Sequence, residues 1–325
     1  MTAFILRRLF ESVVLLLMMS ALVFIGIFAI GNPVDILISP QADQAEIERA
    51  TQALGLDKPL WQQYFLFLWN AVHGDLGNSF VFNQPALQLI LERLPATLEL
   101  AISALAIAIL LGMPLGLVAG LRPDSIIGRT IASGSILCFS LPTFWVGIML
   151  IMVFAVEFGW LPSTGRGETV HLLGLDISIM TTDGLAHLVL PAVNLSLAPM
   201  ALVIRLTASG TREVEHLDYI KFARAKGLRP SRVVLVHMLK NILIPIVTML
   251  GLETGSVIAF SVVTETIFAW PGVGRLMISS IKVLDRPVIV AYLMLTVLLV
   301  ILINLSVDLV YSALDPRVRY REAIP

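Results

Sequence analysis

The chain has 325 residues, of which 57% are hydrophobic and 14% are charged. An ordinary soluble domain carries about 25% charged residues, so these charges are too few to cover a globule of this length. The composition therefore excludes a soluble protein and favours an integral membrane protein. The formal net charge is -1, so the chain has no excess of positive charge that would favour binding to a nucleic acid.

Cysteine and histidine usage argues against metal and redox chemistry. Cys138 is the one cysteine in the sequence, so the chain alone builds no disulfide, no CxxC pair and no thiolate metal site. The five histidines are scattered and show neither HExxH nor HxH spacing. We therefore expect no metal-dependent catalysis and no cofactor bound by this chain.

Apolar runs long enough to cross a membrane occur six times. About 20 apolar residues cover the roughly 30 Å of hydrocarbon in a bilayer. The runs predicted to span are 9–31, 95–120, 131–158, 184–206, 242–266 and 288–312. The first run is too long for the apolar core of a signal peptide and lacks a convincing small-x-small cleavage site, so we expect a retained helix. The predicted fold is all-α and integral to the membrane, with six transmembrane helices.

The basic residues are divided unequally between alternate loops. One side holds 15 of the 22 Lys and Arg residues, and the other side holds 7. Basic residues favour the cytoplasmic side of a membrane, so both termini are predicted to be cytoplasmic. The loop 32–93 between the first two spans is then external.

This external loop is predicted to form a small subdomain. Asp43–Ala53 has the pattern of a short helix, whereas Leu60–Val72 is apolar and aromatic but too short to span the bilayer. The aromatic residues that bear on its placement are Trp61, Tyr64 and Trp69. They suit the membrane surface, and they suit the core of the subdomain equally well.

The longest predicted cytoplasmic stretch, 207–241, has the pattern of a helix, a turn and a second helix. Tyr219–Lys226 carries helix-compatible residues, and Gly227 followed by Pro230 is typical of a helix end. Ser231 is the predicted N-cap of the next helix, which enters the fifth span. A short exposed helix is therefore predicted on the cytoplasmic side.

Several segments of the chain resemble one family of transport proteins. The cytoplasmic stretch resembles the signature of permease subunits of ATP-binding-cassette (ABC) importers, through YIKFARAKGL and the following KNILIP. One branch of this family handles dipeptides, oligopeptides, nickel and glutathione. Five further segments of this chain resemble segments of that branch: LGLDKPLWQQY, GDLGNSF, LPATLEL, FAWPGVGRL and LDPRVR. Lys221 and Phe222 stand where the general family pattern has Glu and Ala, and this departure resembles that of the peptide and nickel branch.

The resemblance implies a multi-pass permease subunit of a bacterial-type inner (plasma) membrane. Its parts would be an N-terminal segment with the first helix (1–31), the external subdomain (32–93), a five-helix core (94–312) that contains the coupling loop (207–241), and a cytoplasmic tail (313–325). The implied partners are a homologous second permease, two cytoplasmic ATPase subunits or domains, an extracytoplasmic solute-binding protein and membrane lipid.

The sequence contains no GxxxxGK(S/T) phosphate loop. Such a loop cradles the phosphates of ATP and helps to hold Mg. ATP and Mg are therefore expected on the partner ATPase subunits, and no catalytic residue is expected in this chain.

Small and basic residues together characterise the end of the predicted cytoplasmic helix. Small residues let a soluble ATPase approach closely, and basic residues offer donors to an acidic or carbonyl-lined cleft. The residues implied to couple to the ATPase are Tyr219, Phe222, Ala223, Arg224, Ala225, Lys226, Gly227 and Arg229. The alternative is that this basic loop lies near anionic lipid headgroups. Each Lys or Arg near such a surface contributes about 1 kcal/mol of favourable electrostatic free energy.

Polar residues inside the spans are candidates for the translocation path. An ionisable group at mid-bilayer costs about 2.5–3.5 kcal/mol on insertion scales and usually faces protein or water. Glu253 lies about 12 Å into the fifth span, counted from Pro245 at about 1.5 Å per residue. Asn194 and Ser256 are further candidates. The alternative is that Glu253 packs against Asn194, Asn304 or a partner subunit.

The segment FAWPGVGRL follows the fifth span on the predicted outer side. In the family that it resembles, this region lies at the external mouth, near the docked solute receptor. The residues assigned to the mouth are Phe268, Trp270, Pro271, Gly272 and Gly274. The alternative is that the two aromatic residues belong to the belt of aromatic side chains at the membrane surface.

A small peptide is the preferred solute, with a nickel chelate or glutathione as alternatives in the same branch. A self-sufficient secondary transporter is a rival of another class, and it would be expected to show an internal repeat and paired intramembrane charges. A membrane-embedded enzyme would need His, Asp or Cys residues clustered at one depth. Neither pattern is clear in the sequence.

Overall fold

A computed structural model describes residues 2–29, 44, 57–172 and 174–314 of the chain. Side chains are described for all of these residues except 2–7, 9, 27–29 and 308–314. The described chain is mostly α-helical, as predicted. The predicted helix Asp43–Ala53, apart from Gln44, and most of the predicted tail lie outside the described residues.

The helices and strands follow one another along the chain in a simple order. The first are α1 (Thr2–Ala29), α2 (Leu60–Val72), α3 (Ala86–Leu121), α4 (Ile126–Ser140), α5 (Thr143–Glu157), β1 (Val170–Leu172) and β2 (Leu175–Ile177). They are followed by α6 (Thr182–Glu215), α7 (Asp218–Ala225), α8 (Pro230–Ile267), α9 (Val273–Lys282) and α10 (Arg286–Leu314). The strands β1 and β2 pair as an antiparallel hairpin. The end of α5 and residues Val233–Met238 of α8 are π-helical.

Four helices of the described chain are long and apolar enough to cross a membrane: α3, α6, α8 and the Arg286–Val307 part of α10. The pair α4 and α5 would count as a fifth span if the two helices are taken together. In α1 the side chains at 9 and 27–29 lie outside those described, and the apolar stretch between them, Phe10–Gly26, falls just short of 18 residues. The described residues therefore hold four to five candidate spans, against six predicted from hydropathy.

A sharp bend divides the segment predicted as the third span. The axes of α4 and α5 differ by 105°. Leu141, between them, has an extended backbone with φ -78° and ψ 137°, and Pro142 precedes the first residue of α5. A residue before proline is pushed toward the extended region because the proline Cδ clashes with it in a helix. The structure thus has two helices at an angle where the sequence predicts one continuous span.

The chain divides into two compact units. The first comprises Met1–Leu94 and Leu276–Ile301, and the second comprises Pro95–Arg275 and Leu302–Pro325. The first unit contains α1 and α2, and the second contains α4 to α8. Helices α3, α9 and α10 each contribute residues to both units.

In the first unit, α2 packs on α1 through Tyr64. The hydroxyl of Tyr64 is 2.8 Å from Ser20 Oγ, and its ring meets the ring of Phe24 edge-on at a centroid distance of 5.3 Å. Trp61 and Trp69 lie on the surface of α2 and are exposed. Tyr64 therefore lies in a contact with α1, whereas the two tryptophans are exposed.

In the second unit, a stripe of glycines brings α3 close to α6. This glycine stripe consists of Gly112, Gly116 and Gly120. A Cβ atom on Gly116 would lie 2.5 Å from Thr207 Cβ, and one on Gly120 would lie 2.6 Å from Thr211 Cβ. Small residues four apart let helix backbones approach in this way in membranes. Any larger side chain in the stripe would push α3 away from α6.

The apolar core of the second unit lies among α6, α7 and α8. Its buried residues are Val203, Val214, Ile220, Ala223, Val233, Met238, Ile242, Ile246 and Leu250. Leucine and isoleucine side chains of α3 pack against them. The short helix α7 is thereby part of this core and not a separate appendage.

Candidate functional site

The short helix α7 forms at the predicted place. It runs over Asp218–Ala225, within one residue of the predicted range at each end. Lys226 is its C-cap, and Gly227 follows with φ +73°, a left-handed conformation that glycine adopts without a Cβ clash. The N–H of Gly227 donates to Arg224 O at 2.9 Å, which closes the last turn.

The following helix begins earlier than predicted. Pro230 is the first residue of α8, and Arg229 occupies the N-cap position without a side-chain hydrogen bond. Ser231 therefore lies inside the first turn, and its prediction as the N-cap is wrong. Proline favours the first helical position because its φ is preset there and no N–H partner is needed.

One apolar face holds α7 on the second unit. Ile220 is fully buried and Ala223 is 6% exposed, and both pack with core residues such as Val214 and Met238. A spacing of three residues places the two on one side of a helix. Ala223, which the sequence assigns to the ATPase-coupling surface, thus makes its contacts inside its own chain.

Two polar contacts fix the orientation of α7. Asn241 Nδ2, on α8, donates to the hydroxyl of Tyr219 at 2.6 Å. Arg224 Nη2 donates to Glu215 Oε1, on α6, at 2.7 Å. These contacts connect α7 to the helix before it and to the helix after it. Tyr219 and Arg224 therefore position the helix in addition to being partly exposed.

The other side of α7 faces away from the protein. Phe222 is 61% exposed, and the Lys226 ammonium lies 4.6 Å from the centroid of its ring. Ala225, Gly227 and Arg229 are exposed as well. These five residues are called the exposed α7 surface below. An aromatic ring, small residues and positive charges together suit contact with another protein.

The residues assigned to the translocation path lie in different surroundings. Glu253 is half-buried and makes no hydrogen bond or ion pair to any residue that the structure describes. Asn194 is fully buried, and its Nδ2 donates to Thr264 Oγ1 at 3.1 Å. Thr264 is eleven residues from Glu253 on α8, which is about 16 Å along the axis. Glu253 is therefore not paired with Asn194, and Ser256 is half-buried.

The aromatic residues assigned to the external mouth are interior. Phe268 is 1% exposed and Trp270 is fully buried. The indole N–H of Trp270 donates to Ala96 O at 2.9 Å, and the carbonyl of Phe268 accepts from Gly165 N at 2.9 Å. These side chains are therefore not in a belt at the membrane surface.

Beside this segment lies a buried carboxylate that sequence reasoning did not single out. Glu265 accepts hydrogen bonds from Thr97 Oγ1 at 2.7 Å, Ser261 Oγ at 3.0 Å and Arg275 N at 3.0 Å. Thr97 Oγ1 in turn accepts from Val273 N at 2.9 Å. These five residues, called the Glu265 cluster below, join the second-unit parts of α3, α8 and α9.

Two glycines make room for this carboxylate. A Cβ atom on Gly272 would overlap the carboxyl group of Glu265, and one on Gly274 would lie 2.6 Å from Val262 Cγ2. These glycines, assigned to the mouth, therefore serve the packing of the Glu265 cluster. A glutamate in an apolar segment, followed by glycines seven and nine residues later, is the sequence signal that could have indicated the cluster.

A second carboxylate ties the β-hairpin segment to α3. Glu99 accepts from Arg166 Nη2 at 2.7 Å and from Ser178 N and Ile179 N, each at 2.8 Å. Arg166 also donates to the carbonyl of Asp176. The chain between α5 and α6 is thereby held at the same end of the second unit as the Glu265 cluster.

Comparison with known protein families identifies the class of protein. The model of the binding-protein-dependent transport system inner membrane component matches residues 112–320. The model of the N-terminal part of such membrane components matches residues 1–101. The chain belongs to the family of binding-protein-dependent transport system inner membrane components. It is therefore a multi-pass permease of the inner membrane.

Curated relatives match the chain over nearly its whole length. The dipeptide transport system permease protein DppB of Escherichia coli K12 is 38% identical over 99% of this chain and 100% of that protein. The oligopeptide transport system permease protein AppB of Bacillus subtilis is 39% identical over 98% and 100%. The glutathione transport system permease protein GsiC of Escherichia coli O6:H1 is 39% identical over 99% and 100%. The predicted resemblance to this branch of ABC importer permeases is confirmed.

Solved structures share the fold at lower identity. The inward-facing MetNI methionine ABC transporter matches with a TM-score of 0.56 in one crystal form and 0.53 in another. In both, the sequences are 19% identical and the match covers 70% of this chain and 97% of that chain. The helical fold of the chain is thus that of an ABC importer permease.

Proposed function

We propose that the chain forms half of the translocation path of an ATP-driven importer for a small peptide. A homologous second permease supplies the other half, and two cytoplasmic ATPase subunits or domains drive the cycle. An extracytoplasmic binding protein delivers the solute. The observation that carries the proposal is α7, a short helix fixed on the protein core by Ile220 and Ala223, with its exposed α7 surface turned outward.

The proposed topology has six spans and two cytoplasmic termini. In it, α1 is the first span, the bent pair of α4 and α5 is the third, and residues 32–93 form an external subdomain. The core 94–312 contains the coupling loop 207–241, and the tail 313–325 is cytoplasmic. The unequal division of basic residues between alternate loops supports this orientation.

The coupling step uses the packing of α7. An ATPase that grips the exposed α7 surface would move α7, and the buried Ile220 and Ala223 would carry the movement into α6 and α8. The contacts Tyr219–Asn241 and Arg224–Glu215 keep α7 from rotating on its seat. The glycine stripe then passes the movement from α6 to α3.

Glu253 and Ser256 are proposed to line the path, whereas Asn194 is fully buried and supports the helix packing beside it. A carboxylate within a span needs water or an opposite charge. The protonated α-amino group of a peptide would supply such a charge. The segment with Phe268 and Trp270 is proposed as a rigid wall near the external mouth, since both side chains are buried.

The role of Glu253 can be tested with Glu253→Gln, which removes the charge and keeps the shape. We expect slower peptide uptake at unchanged thermal stability, because a group that faces water contributes little to packing. Glu157→Gln, at the exposed end of α5, is the control and should leave uptake unchanged. Unchanged uptake with lower stability in Glu253→Gln would assign Glu253 to packing.

The preferred solute follows from the relatives. The three described above are named for dipeptides, oligopeptides and glutathione, which are all short peptides. Glutathione or a nickel chelate stays an alternative within the same branch. We propose that this chain hydrolyses nothing itself, and that ATP and Mg are bound by the partner ATPase subunits.

The whole proposal is tested by reconstituting the complete importer and measuring ATP hydrolysis stimulated by peptide-loaded binding protein. Phe222→Glu should reduce the stimulation by about tenfold, because it places a charge in the contact with the ATPase. Ile126→Glu is the matched control, since Ile126 is an exposed apolar residue in the preceding cytoplasmic loop of the proposed topology. It should leave the stimulation unchanged.

Full stimulation in Phe222→Glu would restore the alternative in which the basic loop lies against lipid headgroups. Uptake that continues without any ATPase partner would instead favour a self-sufficient secondary transporter.

A further inference from the structure

An apolar groove lies within the first unit, between α1, α2 and α10. It encloses about 420 Å³, which is within the usual range of small-molecule pockets. Its walls include Leu16 of α1, Leu68 and Ala71 of α2, and Leu295 and Leu298 of α10. All of these residues belong to the first unit. The groove is thus a feature of one compact unit.

The groove offers nothing to a polar ligand. Ser20 is the polar residue in its lining, and its hydroxyl already donates to Leu17 O at 2.8 Å and lies 2.8 Å from the hydroxyl of Tyr64. A peptide solute would leave its amide groups without partners there, at a cost of several kcal/mol. Water is disfavoured in apolar cavities for the same reason. The chemistry of the lining therefore selects a hydrocarbon.

The helix that forms one wall has the properties of a helix at the membrane surface. Helix α2 has 13 residues, so it is about 20 Å long and too short to span. Its aromatic side chains Trp61, Phe65 and Trp69 are 65%, 63% and 66% exposed. Tryptophan-rich apolar faces of this kind lie at the boundary between headgroups and acyl chains. The groove under α2 is then at the depth of acyl chains.

The walls of the groove continue into apolar surface. Val13 of α1, Val72 of α2 and Leu298 of α10 line the groove and are also exposed, by 52%, 83% and 41%. In a multi-pass membrane protein such surface borders lipid wherever no partner subunit covers it. An acyl chain could therefore enter the groove without leaving apolar surroundings.

We propose that this groove binds one acyl chain of a membrane phospholipid and that the lipid holds α2 against α1 and α10. The proposal rests on the membrane location of the chain and is independent of the solute that is carried.

The test is photocrosslinking of the complete importer in nanodiscs that contain phosphatidylethanolamine with a diazirine in one acyl chain. Mass spectrometry should find crosslinks at Leu68, Ala71 and Leu295 about tenfold more often than at Leu110, an exposed apolar residue of α3. Equal labelling at both places would reduce the groove to ordinary lipid-facing surface and overturn the proposal.

Ala71→Trp should fill the groove and reduce labelling of Leu295 by about tenfold. Leu66→Trp, on the same helix and outside the lining, is the matched control and should leave it unchanged. Leu298→Trp fills the groove from α10 and replaces Ala71→Trp if that variant fails to fold. Labelling that persists in a folded filling variant contradicts the proposal. Crosslinks from groove residues to another protein chain would show a protein occupant and also overturn it.

Discussion

The two ends of the second unit are held together by different kinds of interaction. At one end, the Glu265 cluster joins three helices through hydrogen bonds to a buried carboxylate. At the other end, α7 is seated mainly by the buried apolar side chains of Ile220 and Ala223, and its two polar contacts lie at its partly exposed side. Hydrogen bonds depend on distance and direction, whereas apolar burial has no preferred direction. The difference indicates that the end with the Glu265 cluster is held in a single geometry, whereas the end with α7 tolerates small displacements.

The largest expected effect tests the end that contains the Glu265 cluster. Glu265→Ala removes the acceptor of Thr97 Oγ1 and of Arg275 N, whereas Ser261 Oγ keeps its hydrogen bond to Ile258 O at 2.7 Å. Each unsatisfied buried group costs about 1–3 kcal/mol, so for two such groups we expect a loss of unfolding free energy of about 2–6 kcal/mol. Thermal unfolding of the purified importer in detergent measures it.

Glu157→Ala is the control for this prediction, because Glu157 is an exposed glutamate at the end of α5. It should unfold at the wild-type temperature. If Glu265→Ala also unfolds at the wild-type temperature, the Glu265 cluster does not hold its end of the second unit together.

The second prediction separates the two faces of α7. Ala223→Trp forces a large side chain into the apolar core, and overpacking of this kind costs about 1–3 kcal/mol. Ala225→Trp, two residues away, points to solvent and should leave the unfolding temperature unchanged. It should nevertheless reduce ATP hydrolysis stimulated by loaded binding protein, since it obstructs the exposed α7 surface. Equal stability of the two variants would show that α7 is not seated as described.

The smallest expected effect concerns the polar contact that orients α7. Tyr219→Phe removes the hydroxyl that accepts from Asn241, and an average hydrogen bond contributes about 0.5–1.5 kcal/mol. We expect a stability loss at the low end of that range, because Tyr219 is 41% exposed. Lys221→Met, which removes an exposed ion pair with Asp218, should change neither stability nor stimulated hydrolysis. If Tyr219→Phe has the same stability and the same stimulated ATP hydrolysis as Lys221→Met, Tyr219 does not position α7.

The parts of the fold that could be predicted depend on local sequence signals. The end of α7 is specified by Gly227 and Pro230, which lie within five residues of it, and its range was predicted to within one residue. The apolar length of α3, α6, α8 and α10 is likewise a property of each segment alone. Pro142 is one of several helix-disturbing residues in the spans, but the position and angle of the bend were not predicted, because hydropathy reports the length of an apolar segment and not its direction.

The parts that could not be predicted depend on residues far apart in the sequence. Thr97 is 168 residues from Glu265, so no local pattern shows that the carboxylate has a donor. The burial of Trp270 depends on the carbonyl of Ala96, which is equally remote. Ala223 looked like a partner-facing residue because its small size fits a close external contact and a close internal one alike.

The glycine stripe affects how force travels through the second unit. From Gly112 to Gly120 the two backbones of α3 and α6 stay close over about 12 Å, with no layer of long side chains between them. Long side chains between two helices can change rotamer when one helix moves, and this reduces the movement of the other helix. Between Gly112 and Gly120 no such layer of side chains separates α3 from α6. The two helices therefore pack as a close pair between Gly112 and Gly120, so that a displacement of α6 along this stretch would carry α3 with it.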